Sequence, residues 1–318
     1  MPAPNVIPAV MRSKLVLEAA SQLVETNTWK YKQSILTMRV QGDEAQSVTI
    51  LASDAPPALE EVASGRADIA IINPTGVLTE AYLGKGPFAK PMPFRVIIVM
   101  PSYDQLLFGV TAKSGITSLQ DIKEKKYPLK VSLRGQRDHS VHMVIDQVLS
   151  AAGFTLEDIR TWGGEVRYDN GLPDMPTRMG AIERGEIDAI FDEAVIRWAD
   201  DVPRLGMRIL PLDEGILASM EGLGFRRGIL DKASHPGLPE DVATLDFSGF
   251  AVYTRQDMPD EVVRDFCAAI EARRALMPIE NGTAIPLESM AKDTPEGPLD
   301  VPLHPAAEAY WGDRGYLK

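Results

Sequence analysis

The chain has 318 residues, 45% of them hydrophobic, which suits one large domain or two lobes with separate cores and excludes a disordered polypeptide. Its formal net charge of −12, with no basic run, excludes a nucleic-acid surface, so any anion must be held by a local group of donors. Cys267 is the only cysteine, which rules out an intrachain disulfide, and its setting in VVRDFCAAIEARRAL predicts a buried, inert thiol on an amphipathic helix.

Val10, Leu15, Leu17, Ala20, Leu23 and Val24 recur at helical spacing and predict an amphipathic helix over residues 10–27. The opening lacks the charged start and apolar core of about 7 to 15 residues that mark a signal peptide. No apolar run reaches the roughly 18 residues of a membrane span. As written, the sequence predicts a soluble cytoplasmic protein without membrane insertion, or a periplasmic one if its natural start lies upstream.

Ile35 to Val40 and Val48 to Ala52 read as strands joined through Gly42-Asp43. Ser53-Asp54 can then cap a helix opened by Pro56 or Pro57 and closed at Gly65, followed by a buried strand, Ile69 to Ile72. That is a parallel strand, helix, strand unit. It ends at Asn73-Pro74-Thr75-Gly76, at the carboxyl edge where open α/β sheets hold ligands. Asn73 and Thr75 either touch a ligand there or only build the turn.

After the loop KGPFAKPMP come strands Arg95 to Met100 and Leu106 to Ala112, then a helix capped by Ser118. The first crossing between lobes is placed here, giving one lobe of residues 1–112 plus 246–318 and a second of 113–245.

The stretch VSLRGQRDHSVHMVIDQVL organises the second lobe. A strand over Leu129 to Leu133 meets a turn at Arg134-Gly135, and Val141, Val144, Ile145, Val148 and Leu149 mark a helix from Ser140. Arg134, Gln136, Arg137, His139 and Ser140 surround the free N–H groups of that helix start, a natural seat for a carboxylate or phosphate. The alternative is that Asp138 or Ser140 caps the helix and the arginines are solvated.

A short helix in GFTLEDIRTWGG, a strand over Glu165 to Tyr168 and a helix from Thr177 to Arg184 lead to GEIDAIFDEA. This phrase has the form of GRADIAIINP: a helix ends at Gly, an acid precedes an apolar strand, and polar residues close it. Each lobe thus carries the same small unit once. Asp192 and Glu193 at its end face the cleft, where they hold a cationic group, tune a histidine or bind a metal; alternatively Glu193 caps the next helix and Asp192 pairs with an arginine. Beyond lie a strand over Met207 to Leu212, a helix over Ile216 to Met220, a proline-rich surface return in PGLPEDVATLD, a strand over Phe250 to Thr254 with Tyr253 near its end, a helix over Pro259 to Leu276, and a loose tail.

That tail, Pro302-Leu303-His304-Pro305-Ala306-Ala307 with Tyr310 and Gly315, resembles the ending of the TAXI solute-binding proteins that serve TRAP transporters. SLQDIKEKKYPLKVSLRGQ, GRADIAIINPTG and GEIDAIFDEA are similar to further phrases of that family, and the correspondence spans about residues 47 to 318. The resemblance implies an α/β, two-lobed type II periplasmic binding protein-like fold, each lobe a mixed sheet flanked by helices, that closes around a small carboxylate. Gly135-Gln136-Arg137-Asp138-His139-Ser140 departs from the family's small-residue turn, and Glu193-Ala194-Val195-Ile196 from its Gly-Gly-x-Pro.

The function expected is therefore a binder of a small organic acid. Ser53, Asp54, Asn73 and Thr75 form one wall, Arg134, Gln136, Arg137, His139, Ser140, Asp192 and Glu193 the other, and Tyr253 the cover. TRAP membrane subunits are the partner implied. The alternative is an enzyme on the same fold, a decarboxylase or lyase, with His139 as acid or base and Asp192 or Glu193 setting its protonation. A metal variant would use Asp138, His139 and His142 with one of those acids, although no resident metal or cofactor is expected. His235 and His304, beside prolines, read as loop stabilisers.

Overall fold

The computed structural model describes residues 8–26, 33–40, 43–53, 55–276, 279–280 and 283–318. Helix α1 (Pro8–Thr26) precedes the hairpin β1 (Ser34–Val40) and β2 (Asp43–Ala52). α2 (Pro57–Ala63), β3 (Ile69–Ile72), α3 (Thr75–Leu83) and β4 (Phe94–Met100) complete the first passage through one sheet. The chain then enters a second sheet with β5 (Gln105–Thr111), followed by α4 (Leu119–Glu124), β6 (Lys130–Arg134), α5 (Ser140–Ala151), α6 (Leu156–Thr161), β7 (Glu165–Asp169), α7 (Met179–Glu183) and β8 (Ala189–Asp192). α8 (Val195–Trp198), β9 (Met207–Ile209), α9 (Glu214–Leu223), β10 (Arg227–Leu230) and β11 (Val242–Asp246) end that lobe. The return is made by β12 (Phe250–Arg255), α10 (Asp260–Arg273), the small hairpin β13 (Ile279–Glu280) and β14 (Thr283–Ala284), α11 (Leu287–Ala291) and α12 (Pro305–Asp313).

The first sheet has the order β1-β2-β3-β12-β4, and the second contains β7-β6-β8-β5 with β9 against β5. Read together, the two orders are alike. In each, two parallel strands (β2 and β3; β6 and β8) are followed by an antiparallel strand that adjoins a crossing, β12 or β5. The phrases GRADIAIINP and GEIDAIFDEA supply β3 and β8, the equivalent positions. This is the two-lobed type II periplasmic binding protein-like architecture, a mixed α/β arrangement in which the carboxyl ends of β2, β3, β6 and β8 bring the site loops together.

Because β5 pairs in the second sheet, the chain leaves the first sheet at residues 101–104, before the crossing placed near 112, and it returns at 247–249. We propose that the lobes divide at these two segments. Strand β11 stands where a surface return was expected, and β10, ahead of it, was not expected at all. The run Val242–Leu245 is too short for periodicity to reveal, and its pairing with β5 and β10 decides it.

The tail is not loose. α12 packs on α10 and β4, Trp311 is fully buried, and its indole N–H donates to Ile97 O at 2.9 Å. Cys267 is buried on α10, and burial pushes its thiol up to about 12, as an inert core position requires. Helix α1 forms, but its apolar residues do not build a core: Leu15 is 71% exposed and Leu23 51%. The side chain of Val10 lies outside the described residues.

Candidate functional site

The loop after β6 is shaped by Gly135. A Cβ there would lie 2.6 Å from Asn170 Oδ1, so only glycine lets this turn run beside the end of β7, where Gly135 N donates to Asp169 O. The turn delivers His139 to the start of α5 as its N-cap. The imidazole Nδ1, rather than Asp138 or the Ser140 hydroxyl, accepts from Val141 N at 3.1 Å. The other ring nitrogen, Nε2, lies 3.2 Å from Arg134 Nη1 and 3.9 Å from Glu193 Oε1.

Arg134 is buried at the end of β6 and pairs with Asp192 Oδ1 at 3.0 Å and with the Glu193 carboxyl. A second arginine, Arg178, closes Asp192 from the other side. It is fully buried, pairs with Asp192 and donates through Nε to Ser132 Oγ at 3.0 Å and through Nη2 to Ser132 O at 3.2 Å. Asp104, in the first crossing, completes the group. Its carboxylate accepts from Ala194 N at 3.0 Å and Val195 N at 2.9 Å and shares a hydrogen bond with Glu193. Ala194 sits at φ 64°, an unusual conformation for a residue with a Cβ, and these bonds hold it there.

The charges sort themselves by partner. Burial opposes ionisation of Asp192, yet Arg134 and Arg178 outweigh it and hold the carboxyl below its ordinary range. Burial also works against the Arg134 cation, but Asp192 and then Glu193 reverse this and keep its pKa above the usual value. Glu193 is pushed well above the carboxylate range, first by burial and then by Asp104. Asp104 is likewise raised by burial, partly offset by its hydrogen bonds to Glu193 and to the Val195 N–H. One proton shared between these two acids leaves the group of Asp104, Arg134, Arg178, Asp192 and Glu193 neutral, which is how so many ionisable groups remain buried.

The first-lobe wall is built differently from expectation. Asn73 Nδ2 donates to Phe247 O and Gly249 O at 3.1 and 3.0 Å, and Thr75 Oγ1 donates to Ser248 O at 3.3 Å. Both side chains therefore grip the returning crossing. Ser248 ties that crossing to the first, accepting from Asp104 N and donating to Asp104 O. Ser140 reaches across the cleft and donates to Asn73 O at 2.5 Å. Ser53 Oγ accepts from Ala55 N and does not cap α2, whose first residue is Pro57. Asp54 lies outside the described residues.

Three further expectations are corrected by the geometry. Tyr253 does not cover the cleft: it is fully buried in β12, edge-on to Phe94, and burial raises its hydroxyl pKa. Arg137 stacks on Tyr168, its guanidinium carbon 3.4 Å from the ring centre, instead of converging with Arg134. Asp138, His139 and His142 face three different partners, since Asp138 accepts from Gln33 Nε2 and His142 Nε2 donates to Gln136 O. Among the described residues no group of His, Cys, Asp or Glu is arranged to hold a metal, and no helix is long and apolar enough to cross a membrane. His235 bonds to Asp200, and His304 caps α12 at Ala306 N and reaches Met258 O.

A cavity of about 290 Å³ opens beside the same turn, lined by Gln33, Leu51, Ser53, Ala55, Arg66 and Asp138 among others. It lies between the first-lobe strand ends and the residue preceding His139. Arg178 and Asp104 are the members that sequence reasoning missed. The one available signal was the buried acid pair Asp192-Glu193, which demanded more counter-charge and hydrogen bonding than Arg134 supplies.

The NMT1-like family description matches residues 33–315. No curated protein matches the chain in sequence. Among solved structures, the alkanesulfonate-binding protein SsuA from Xanthomonas axonopodis pv. citri is similar at 14% identity, over 71% of this chain and 81% of that one, with a TM-score of 0.30. The L-cystine solute receptor of Neisseria gonorrhoeae is similar at 16% identity, over 71% and 73%, with a TM-score of 0.27. The glycine/betaine/L-proline-binding protein of Borrelia burgdorferi is similar at 14% identity, over 66% and 64%, with a TM-score of 0.37. Likeness at this level is one of broad outline and sets no correspondence between residues. The match over residues 33–315 spans most of the chain, and the protein belongs to the NMT1-like family.

Proposed function

We propose that the protein is a solute-binding protein that captures a small organic carboxylate between its lobes, at the seat formed by Arg134 and His139. The observation that carries this reading is the occupant of that seat. The Arg134 guanidinium pairs with the Glu193 carboxyl, and His139 Nε2 lies 3.9 Å from the same group. A fork suited to a carboxylate thus already receives a carboxyl group from the protein itself. A ligand carboxylate replaces Glu193 there once the lobes part. Glu193 gives way readily because burial, and then Asp104, favour its neutral acid form. The cavity beside Asp138 has room for the rest of a small ligand. In this reading a TRAP-type membrane component receives the ligand, as the TAXI resemblance suggests.

Thermal unfolding against small mono- and dicarboxylates and their neutral amides tests the proposal. A bound acid at about 100 times its Kd adds roughly 2.7 kcal/mol of stability, whereas its amide adds little. Equal stabilisation by acid and amide would sink the carboxylate seat. Mass analysis of the recovered ligand separates binding from the decarboxylase or lyase alternative, in which the acid is converted and His139→Ala stops the conversion.

Glu193→Gln bears on the same point. The amide keeps the shape of the competing group but weakens its hold on Arg134, so carboxylate affinity is expected to rise by about tenfold, the scale of one charge-assisted hydrogen bond. Calorimetric titration reads this directly. A fall in affinity would show that Glu193 helps to hold the ligand and does not compete with it.

A further inference from the structure

The lobes also meet away from the crossings, where α3 of the first lobe lies against α5 and the end of α9. Gly224 approaches Thr79 and Leu83, and Lys85 Nζ donates to Gly222 O at 2.6 Å. Glu80 projects from α3 into this contact and is fully buried. Its Oε1 accepts from Gln147 Nε2 of α5 at 2.5 Å, and Gly86 shuts the pair in from the following loop.

Two atoms of this pair have no hydrogen-bond partner, Glu80 Oε2 and Gln147 Oε1, and both are buried. Both are acceptors while Glu80 is ionised, so neither can serve the other. A proton on Glu80 supplies the missing donor. The acid then gives O–H to the amide oxygen while the amide gives N–H to the carboxyl oxygen, and no buried group is left unpaired. We propose that Glu80 and Gln147 form a proton-dependent latch, and that the lobes close with uptake of one proton by Glu80.

Among the described residues no cation is paired with Glu80. The charged or titratable groups on the elements that meet here are Tyr82 on α3, Lys85 and Lys90 after it, His142 and Asp146 on α5, and Glu214 and Glu221 on α9. Lys85 is engaged by Gly222 O, His142 by Gln136 O, and both acids of α9 by Arg227. Burial is accordingly the main influence and pushes Glu80 up to about 7, with the Gln147 bond opposing it.

With the lobes apart, water reaches Glu80 and it titrates in the ordinary carboxylate range. Closure is therefore unhindered at low pH, grows harder as pH rises toward 7, and levels off above. Between pH 5 and pH 8 the closed-to-open ratio is expected to fall on the order of tenfold to a hundredfold. Asp246 and Glu193 also titrate above the usual range, so the difference from an isosteric variant is the readout. In Glu80→Gln, two amides pair at every pH and the dependence on this site disappears.

The latch concerns the lobe contact itself and is read without a ligand, so its failure and that of the carboxylate reading are separate results. Spin labels on the full chain at Met38→Cys and Ile196→Cys, one exposed position on each lobe, report the interlobe distance. The wild-type background is expected to shift toward longer distances between pH 5 and pH 8, and the Glu80→Gln background to stay short. Gln147→Met, which removes the acceptor for the acid proton, is expected to lengthen the distance at pH 5. Equal pH responses in wild type and Glu80→Gln, or a Gln147→Met variant that closes like wild type at pH 5, would overturn the latch.

Discussion

Asp192→Ala is expected to cost the fold about 3–5 kcal/mol, the usual result of removing one partner from a buried ionic group. Asp192 is fully buried between Arg134 and Arg178, and it is the acid that stays ionised. Without it, Arg178 keeps Ser132 and the Gly171 carbonyl, and among the described residues its charge has no other ion-pair partner. Arg134 is left with Glu193, which burial and Asp104 have pushed toward its neutral form. Both cations are then buried in excess. Urea denaturation of the full chain measures the loss, and a value under about 1 kcal/mol would show that water or a shifted acid compensates.

Gly76→Val is expected to weaken ligand affinity by about 5- to 150-fold with little loss of fold, on the scale of the 1–3 kcal/mol that overpacking costs. Gly76 is in the first turn of α3, and a Cβ there would lie 2.5 Å from Cδ1 of Phe225, a buried ring at the end of α9. The two groups belong to different lobes, so the strain falls on their contact and not on either core. Parting the lobes relieves it. Titration of the variant with a carboxylate that stabilises the wild type, beside small-angle scattering of both, measures the effect. Affinity within about threefold of wild type, on the same 1.4 kcal/mol-per-decade scale, would mean that this contact does not control closure.

The latch and the Gly76 substitution act at one interface by different means. Glu80→Gln removes a pH-dependent cost of closing, whereas Gly76→Val adds a steric one at every pH. Combining them tests whether the lobes behave as two rigid bodies. If they do, the double variant keeps the long interlobe distance of Gly76→Val and loses the response to pH.

Several parts of this molecule were legible from local pattern. The phrases GRADIAIINP and GEIDAIFDEA placed β3 and β8, because a glycine-ended helix before an apolar strand is a short-range signal, and the topology puts those strands in equivalent positions. The strand, turn and helix around Arg134 were readable for the same reason, down to the helix start at Ser140. Ser118 was legible as a cap since its bond to Asp121 N spans three residues. By contrast, β10 and β11, the buried tail helix α12 and the exposed face of α1 depend on which distant element is present to pair or pack. Propensity and periodicity carry no such information.

The amino-acid order by itself determined the strand ends and their chemistry: a turn bearing Arg134 and His139, an acid pair at Asp192-Glu193, and polar loops after β2 and β3. The tertiary structure alone decided what those groups face. Arg178 and Asp104 entered the site from positions 14 and 88 residues away from Asp192, Asn73 and Thr75 turned to the returning crossing, and Tyr253 went into the core. The physical reason is that a buried charge must find its counter-charge and a buried amide its acceptor wherever the fold brings one near. Those partners are set by the closing of two sheets and two crossings on each other, over separations at which neighbouring residues exert no influence.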